Sequence, residues 1–257
     1  MKKIYLIMIL FFATASGVFA QTANIVTLTL KAKSGEAEAQ NALGEAYYDG
    51  KGVTENLTEA VKWFTKAAEQ ENAKAENNLG NCYYYGYGVY KDYGEAVKWY
   101  TKAAEQGYAE AQNSLGYYYE IDELNPKKAV EWYTKAAEQG LPMAEYNLGN
   151  CYYYGNGVQY RDRGEAVKWY TRAAEQGNAD AQNDLGYCYE FGEGVDKNLK
   201  EAVKWYTKAA EQGLPLAQCN LGACYKNGDW VEKNLEEAVK WYTKAANQEY
   251  AKAQYYL

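Results

Sequence analysis

The stretch Ala111-Gln112-Asn113-Ser114-Leu115-Gly116-Tyr117-Tyr118-Tyr119, followed after a loop by Ala129-Val130-Glu131-Trp132-Tyr133-Thr134-Lys135-Ala136-Ala137-Glu138-Gln139-Gly140, decides the fold. It holds two helical patterns separated by a turn, and it recurs along the chain. Leu-Gly pairs stand at 43–44, 79–80, 115–116, 148–149, 185–186 and 221–222. Trp63, Trp99, Trp132, Trp169, Trp205 and Trp241 follow them at steps of 36, 33, 37, 36 and 36 residues. A fixed period of this length marks a repeat array, in which each unit buries its apolar face against its neighbours.

Each unit reads as a helix pair, A then B. In helix A of the second copy, Ala75, Leu79, Cys82 and Tyr83 recur at i, i+4, i+7 and i+8. In helix B of the first copy, Ala60, Val61, Phe64, Ala67 and Ala68 form the same kind of apolar stripe. Asn56, Asp92, Asn125, Asp162, Asn198 and Asn234 are N-cap residues for helix B. Glutamate three residues later in every copy but the third completes a capping-box pattern, and in the third Pro126 takes the first helical position. Gly107, Gly140, Gly177 and Gly213 end helix B, and Pro142 and Pro215 open the next helix A. The glycine of each Leu-Gly pair sits inside a helix, where it costs about 1 kcal/mol, so it implies close helix–helix approach. Gly-x-Gly-Val at 50–53, 86–89, 155–158 and 192–195 lies between two helices in an acidic chain, and so reads as a tight turn rather than a phosphate cradle. In the sixth copy Trp230 replaces the second glycine of this turn.

These residues resemble the Sel-one-like repeats, relatives of the tetratricopeptide repeats. The second copy carries the pattern almost fully: Ala75, Leu79, Gly80, Tyr83, Gly86, Gly88, Val89, Ala96, Trp99, Tyr100, Ala103, Ala104 and Gly107. The resemblance implies an all-α fold, a right-handed α/α solenoid (superhelix) of stacked antiparallel helix pairs. Six repeats are expected at about 35–70, 71–106, 107–139, 140–176, 177–212 and 213–250. Residues 21–34 read as a capping half-repeat, with Ile25 and Leu28 in the places of Val97 and Tyr100. Residues 251–257 start a seventh helix A, truncated and with no polar cap, so the expectation is either a fragment of a longer array or self-association at that end. Some cysteine-rich secreted relatives have been described as binding or hydrolysing β-lactams. Their paired cysteines link the two helices of a repeat, whereas helix B here has none.

The first residues suggest export. Met1-Lys2-Lys3, an apolar run from Ile4 to Ala13, and Val18-Phe19-Ala20 match a signal peptide cleaved after Ala20, with an uncleaved anchor as the alternative. The expected product is secreted or periplasmic, without membrane insertion after cleavage. Losing Lys2 and Lys3 takes the 27 basic residues to 25 against 34 acidic ones, and the net charge from −7 to −9. That balance offers no footprint for nucleic acid. Histidine is absent, which removes the Ser/His and Cys/His nucleophile pairs. Glu120 and Glu190 remain as a weak acid/base pair, and the chain reads as a non-enzyme with no cofactor or metal. Four of its five cysteines, Cys82, Cys151, Cys188 and Cys224, occupy one repeat position. They read as small buried apolar groups rather than disulfides.

Candidate function lies on helix A. Counted from each Leu-Gly leucine, positions −5, −2, +2 and +5 share a stripe away from the apolar one, and the tetratricopeptide resemblance places that stripe in a concave groove. It contains Asn41, Asn77, Asn113, Tyr146 and Asn183 at −2, Asn81, Tyr117, Asn150 and Tyr187 at +2, and Tyr48, Tyr84 and Tyr153 at +5. Asparagine both donates and accepts, which suits an extended peptide. Tyrosine gives rigid contact area with a polar tip. A protein or peptide partner is one reading and a glycan another. A third is an asparagine ladder joining neighbouring helices, with tyrosines filling the interface between them. The six tryptophans on helix B read as packing.

Overall fold

The computed structural model describes residues 24–257, so the expected signal segment and its cleavage site lie outside the described residues. The described residues form 14 helices and no strands, an all-α helical repeat solenoid. The chain divides into two compact units, one through Leu115 and one from Gly116 onward. The first holds α1 (24–34), α2 (Ala37–Asp49), α3 (Leu57–Ala68), α4 (Ala73–Tyr85), α5 (Tyr93–Glu105) and the start of α6 (Ala109–Ile121). The second holds the rest of α6, then α7 (Pro126–Glu138), α8 (Pro142–Tyr154), α9 (Arg163–Glu175), α10 (Ala179–Phe191), α11 (Leu199–Glu211), α12 (Pro215–Asn227), α13 (Leu235–Ala246) and α14 (Ala251–Tyr256). Even-numbered helices are helix A and odd-numbered ones helix B.

Within each unit the core is a chain of small clusters. Ala60, Val61, Phe64, Ala67 and Ala68 of α3 pack on Ala75, Leu79 and Cys82 of α4. In the second unit, Ala166, Val167, Tyr170, Ala173 and Ala174 of α9 meet Ala181, Leu185 and Cys188 of α10. Each helix B therefore buries its apolar stripe against its own helix A and the next one. Ala32 of α1 is buried with Ala39 and Leu43, with Ile25 and Leu28 packed alongside, so α1 stands where a helix B would.

The glycine inside helix A is explained by an aromatic ring. A Cβ on Gly80 would lie 2.5 Å from the Tyr100 ring, and one on Gly116 would lie 2.4 Å from Tyr133. The fully buried aromatic is thus the residue after each tryptophan: Tyr133, Tyr170 and Tyr206 are at most 1% exposed. The tryptophans do pack, with Trp63, Trp99 and Trp241 set against core clusters and Trp205 within one, but less deeply than these tyrosines. Trp205 is buried, but the other five helix B tryptophans are half-buried. Cations lie over their outer faces, as with Lys135 at 3.9 Å from the Trp132 ring centre and Lys244 at 3.8 Å from that of Trp241.

Every helix B in the six repeats is capped as its sequence implies. Asn56, Asp92, Asn125, Asp162, Asn198 and Asn234 each accept from the backbone N–H three residues on, at 2.9 to 3.3 Å. The reciprocal half of the capping box is not formed. The Asn56 N–H donates instead to the Tyr47 carbonyl of the preceding helix A at 2.8 Å, and the Asp92 N–H to Tyr83 at 2.9 Å. Freed of that role, Glu59, Glu95, Glu165, Glu201 and Glu237 each hold the lysine one turn later. Tertiary contact takes the donor that a local box would have satisfied.

The Gly-x-Gly-Val loops are turns. A Cβ on Gly194 would meet the carbonyl of Arg163, at the start of α9, at 2.2 Å. Gly88 and Gly157 meet the carbonyls of Leu57 and Pro126 in the same way, so the second glycine lets these three loops lie on the first turn of the preceding helix B and leaves no open phosphate cradle there.

Candidate binding surface on the helix A face

Helix A presents its polar stripe beside the same stripe of the neighbouring repeat, and part of it is interior. Asn41, Asn77 and Asn183 are buried at 5%, 7% and 3% exposure. Their oxygens accept from position −1 of the next helix A. Asn78 donates Nδ2–H to Asn41 Oδ1 at 2.9 Å, and Asn220 donates to Asn183 Oδ1 at 2.9 Å. The Ser114 hydroxyl lies 3.5 Å from Asn77 Oδ1. These contacts form the asparagine ladder. Asn113 is half-buried, as is Tyr146, which donates its hydroxyl to Asp184 at 3.1 Å.

Positions +2 and +5 solve a second burial problem. The helix B tyrosine that packs on the glycine buries a hydroxyl, which needs an acceptor. Where +2 is asparagine, that residue accepts: Tyr100 donates to Asn81 and Tyr170 to Asn150, both at 2.7 Å. Where +2 is tyrosine, a glutamate at +5 accepts instead: Tyr133 donates to Glu120 at 2.8 Å and Tyr206 to Glu190 at 2.6 Å. Glu120 and Glu190 are thereby fixed on separate tyrosines rather than joined as an acid/base pair. Burial first, then the adjacent carboxylate, holds the Tyr133 phenol far above its ordinary range, and burial is also the leading cause at Tyr206. In the first repeat Phe64 has no hydroxyl, and Glu45 instead pairs with Lys74 at 2.7 Å.

The remaining predicted residues reach the surface to different degrees. Tyr84 is buried, and its ring sits 4.8 Å from that of Tyr85. Tyr48 and Tyr153 are half-buried, and burial pushes the Tyr153 phenol up to about 12. Arg163 and Arg161 lie over the Tyr153 ring at 5.4 and 5.7 Å. Tyr117 and Tyr187 are exposed, at 44% and 41%.

The sequence reading missed the most exposed row, at position +6. Tyr85, Ile121, Tyr154 and Phe191 occupy it with exposures of 54%, 52%, 62% and 55%. It is one helical turn beyond +2, so the exposed pairs are +2 with +6: the Tyr187 and Phe191 rings lie 4.6 Å apart. Testing the i, i+4 partner of each +2 tyrosine would have found Ile121 and Phe191, whereas Tyr85 and Tyr154 follow an asparagine at +2 and carry no such signal.

The cysteines are all free and buried. Burial pushes the thiols of Cys82, Cys151, Cys188 and Cys224 up to about 12. Thiols so shifted are poor nucleophiles. Among the described residues no helix is long and apolar enough to cross a membrane.

Comparison with known proteins bears on the same architecture. The Sel1 repeat model matches residues 37–72, 73–108, 109–141, 142–178, 179–214 and 215–250. Each range begins two residues after the boundary expected from sequence, because it counts from the first residue of helix A. The chain is similar to the crystal structure of a protective antigen of uropathogenic Escherichia coli that displays an SLR fold. Their TM-score is 0.75 at 39% identity, covering 91% of this chain and 50% of the antigen. A Sel1 repeat protein from Oxalobacter formigenes superposes with a TM-score of 0.74 at 37% identity, covering 86% and 96% of the two chains. The secretory immunoglobulin A-binding protein EsiB of Escherichia coli O6:H1 is 42% identical over 69 residues, 26% of this chain and 14% of EsiB. This chain thus spans about half of the antigen and a small part of EsiB. With six matched repeats, each a capped helix pair closed by an aromatic on a glycine, the chain belongs to the Sel1 repeat family.

Proposed function

We propose that this chain is a non-catalytic binding scaffold of the bacterial envelope or exterior, which holds a protein or peptide partner against its helix A face. The observation that carries this reading is the exposed apolar row at +6 in the second unit, Ile121, Tyr154 and Phe191, with Tyr117 and Tyr187 beside it. Large rigid aromatics left in water are costly for a repeat surface and favour a partner that covers them. Most of the asparagines first assigned to the groove are committed to the ladder or to tyrosine hydroxyls, so the aromatics supply the contact area. The signal-like residues 1–20 support export. Similarity to an immunoglobulin-binding protein and to a protective antigen supports a protein partner.

The test is a displayed peptide library panned on the chain, with secretory immunoglobulin A as a defined protein probe and a glycan array alongside. Selected peptides should bind a Tyr154→Ala/Phe191→Ala double variant, both residues in the second unit, at least roughly tenfold more weakly, the loss of about 1.4 kcal/mol expected for two aromatic anchors. Its helical signal should be unchanged. Retention of glycans alone, or peptides that bind the double variant as tightly as the wild type, would overturn the reading.

A further inference from the structure

The polar ladder of the second unit departs from its own repeat at one step. Two steps pair amides at −2 and −1, Asn41 with Asn78 and Asn183 with Asn220, and a third sets the Ser114 hydroxyl against Asn77, all of them neutral. Between α8 and α10 the pair is Tyr146 and Asp184. Asparagine at 184 would continue the ladder, so the ladder itself does not need this charge. Asp184 accepts from the Tyr146 hydroxyl through Oδ2 at 3.1 Å and from Asn183 Nδ2 through Oδ1 at 2.9 Å. Among the described residues it has no ion pair. A carboxylate taken from water without a cation is costly, and burial raises its pKa above the usual range.

Asp184 lines a cavity of about 440 Å³ on the helix A side of the second unit, bounded by Tyr153, Tyr154, Tyr187, Asn183 and Asn220. Tyr146 gives its hydroxyl proton and Asn183 one amide N–H to Asp184, and Asn220 gives one amide N–H to Asn183. The carboxylate's second lone pairs and the Asn220 carbonyl oxygen are left as acceptors. A carboxylate without a cation, set between aromatic rings, fits a planar cation that donates to it and stacks on ring faces.

We infer that this cavity takes a guanidinium group, the side chain of an arginine on an extended segment of a protein partner. The inference rests on the scaffold reading and deepens it. The carboxylate would accept from the guanidinium, and Tyr154 and Tyr187 would flank it. Exposed Lys252 of α14 also lines the cavity and opposes a cation.

The test titrates the full chain with N-acetyl-Gly-Arg-Gly-amide and with its citrulline counterpart, a neutral near-isostere, following side-chain and backbone NMR shifts. The arginine peptide should bind saturably, and the citrulline peptide and the Asp184→Asn variant should each be weaker by roughly tenfold, the worth of one charge-assisted contact. Asp184→Asn should unfold at or above the wild-type temperature, since asparagine serves the ladder at 78 and 220. Should that variant fold poorly, Tyr187→Leu keeps the apolar volume and should still weaken arginine binding several-fold. Lys252→Ala should bind more tightly. Equal binding of citrulline, no effect of Asp184→Asn, weaker binding by Lys252→Ala, or no saturation by the wild type would each overturn the inference. If the arginine peptide binds but no library peptide or protein does, the scaffold reading fails while the subsite stands. If library peptides bind while the arginine peptide does not, the subsite alone fails.

Discussion

Glu76→Gln is expected to stabilise the protein near neutral pH, and to do so less in acid. Position −3 of helix A carries glutamine at 40, 112, 182 and 218. In these copies Nε2 donates to an alanine carbonyl eight residues earlier, at 2.9 to 3.2 Å. The oxygen of Gln40, Gln182 and Gln218 accepts from the glutamine at the end of helix B, thirty residues on, at 2.7 to 3.0 Å. Glu76 is only 2% exposed and keeps the second bond, from Gln106 at 2.7 Å, but an ionised carboxylate has no proton to give the Ala68 carbonyl. The substitution adds one buried hydrogen bond and removes a buried charge that Lys102 partly offsets, together about 1–2 kcal/mol. For a chain of this size that is a rise in Tm of roughly 3–6 °C. Burial raises the folded-state pKa of Glu76 above its ordinary 4.5, so the folded state holds the proton more tightly. The wild type should therefore gain more stability than the variant as pH falls from above the folded value toward 4.5, and the gap should close. Urea unfolding at pH 7 and at several lower values measures this. A variant no more stable at pH 7, or a gap independent of pH, would refute the reasoning. Glu145→Gln is the contrast. Arg172 already pairs with Glu145 at 2.8 Å and donates to the Ala137 carbonyl at 3.2 Å, so its gain should be smaller or absent.

Three further outcomes are expected. Gly80→Ala should cost about 1–3 kcal/mol or more by overpacking, read as a fall in Tm, because its Cβ would lie 2.5 Å from the buried Tyr100 ring. Glu71→Gly and Glu249→Gly should each stabilise by about 0.5–1 kcal/mol in urea unfolding. Both residues hold φ of 61° where four other repeats have glycine between 82° and 95°. None of the 5 cysteines should react quickly with a thiol reagent in the native protein, and all should react in denaturant, because each is buried.

Much of the fold was legible because its determinants are local. Asn56 caps its own helix three residues on, Gly107 ends α5, and Pro142 opens α8, each through backbone geometry within a few residues. The glycine of each Leu-Gly pair signalled a close approach, but the aromatic that fills the space had to come from the structure. Trp99 and Tyr100 are adjacent, and no local rule says which of them turns onto Gly80.

The repeat period and the helix stripes, read from sequence, determined that this is a helix-pair array and which residues line helix A. Only the tertiary structure decided which of those residues a partner could touch. Asn41 is interior because Asn78 of the next repeat reaches it across 37 residues, and Asn81 is occupied because the Tyr100 hydroxyl needs an acceptor. A helical period fixes the angle of a side chain about its own axis. Whether that angle faces water or a neighbouring helix depends on the neighbour, and so the asparagines turned inward while Tyr154 and Phe191 were left outside.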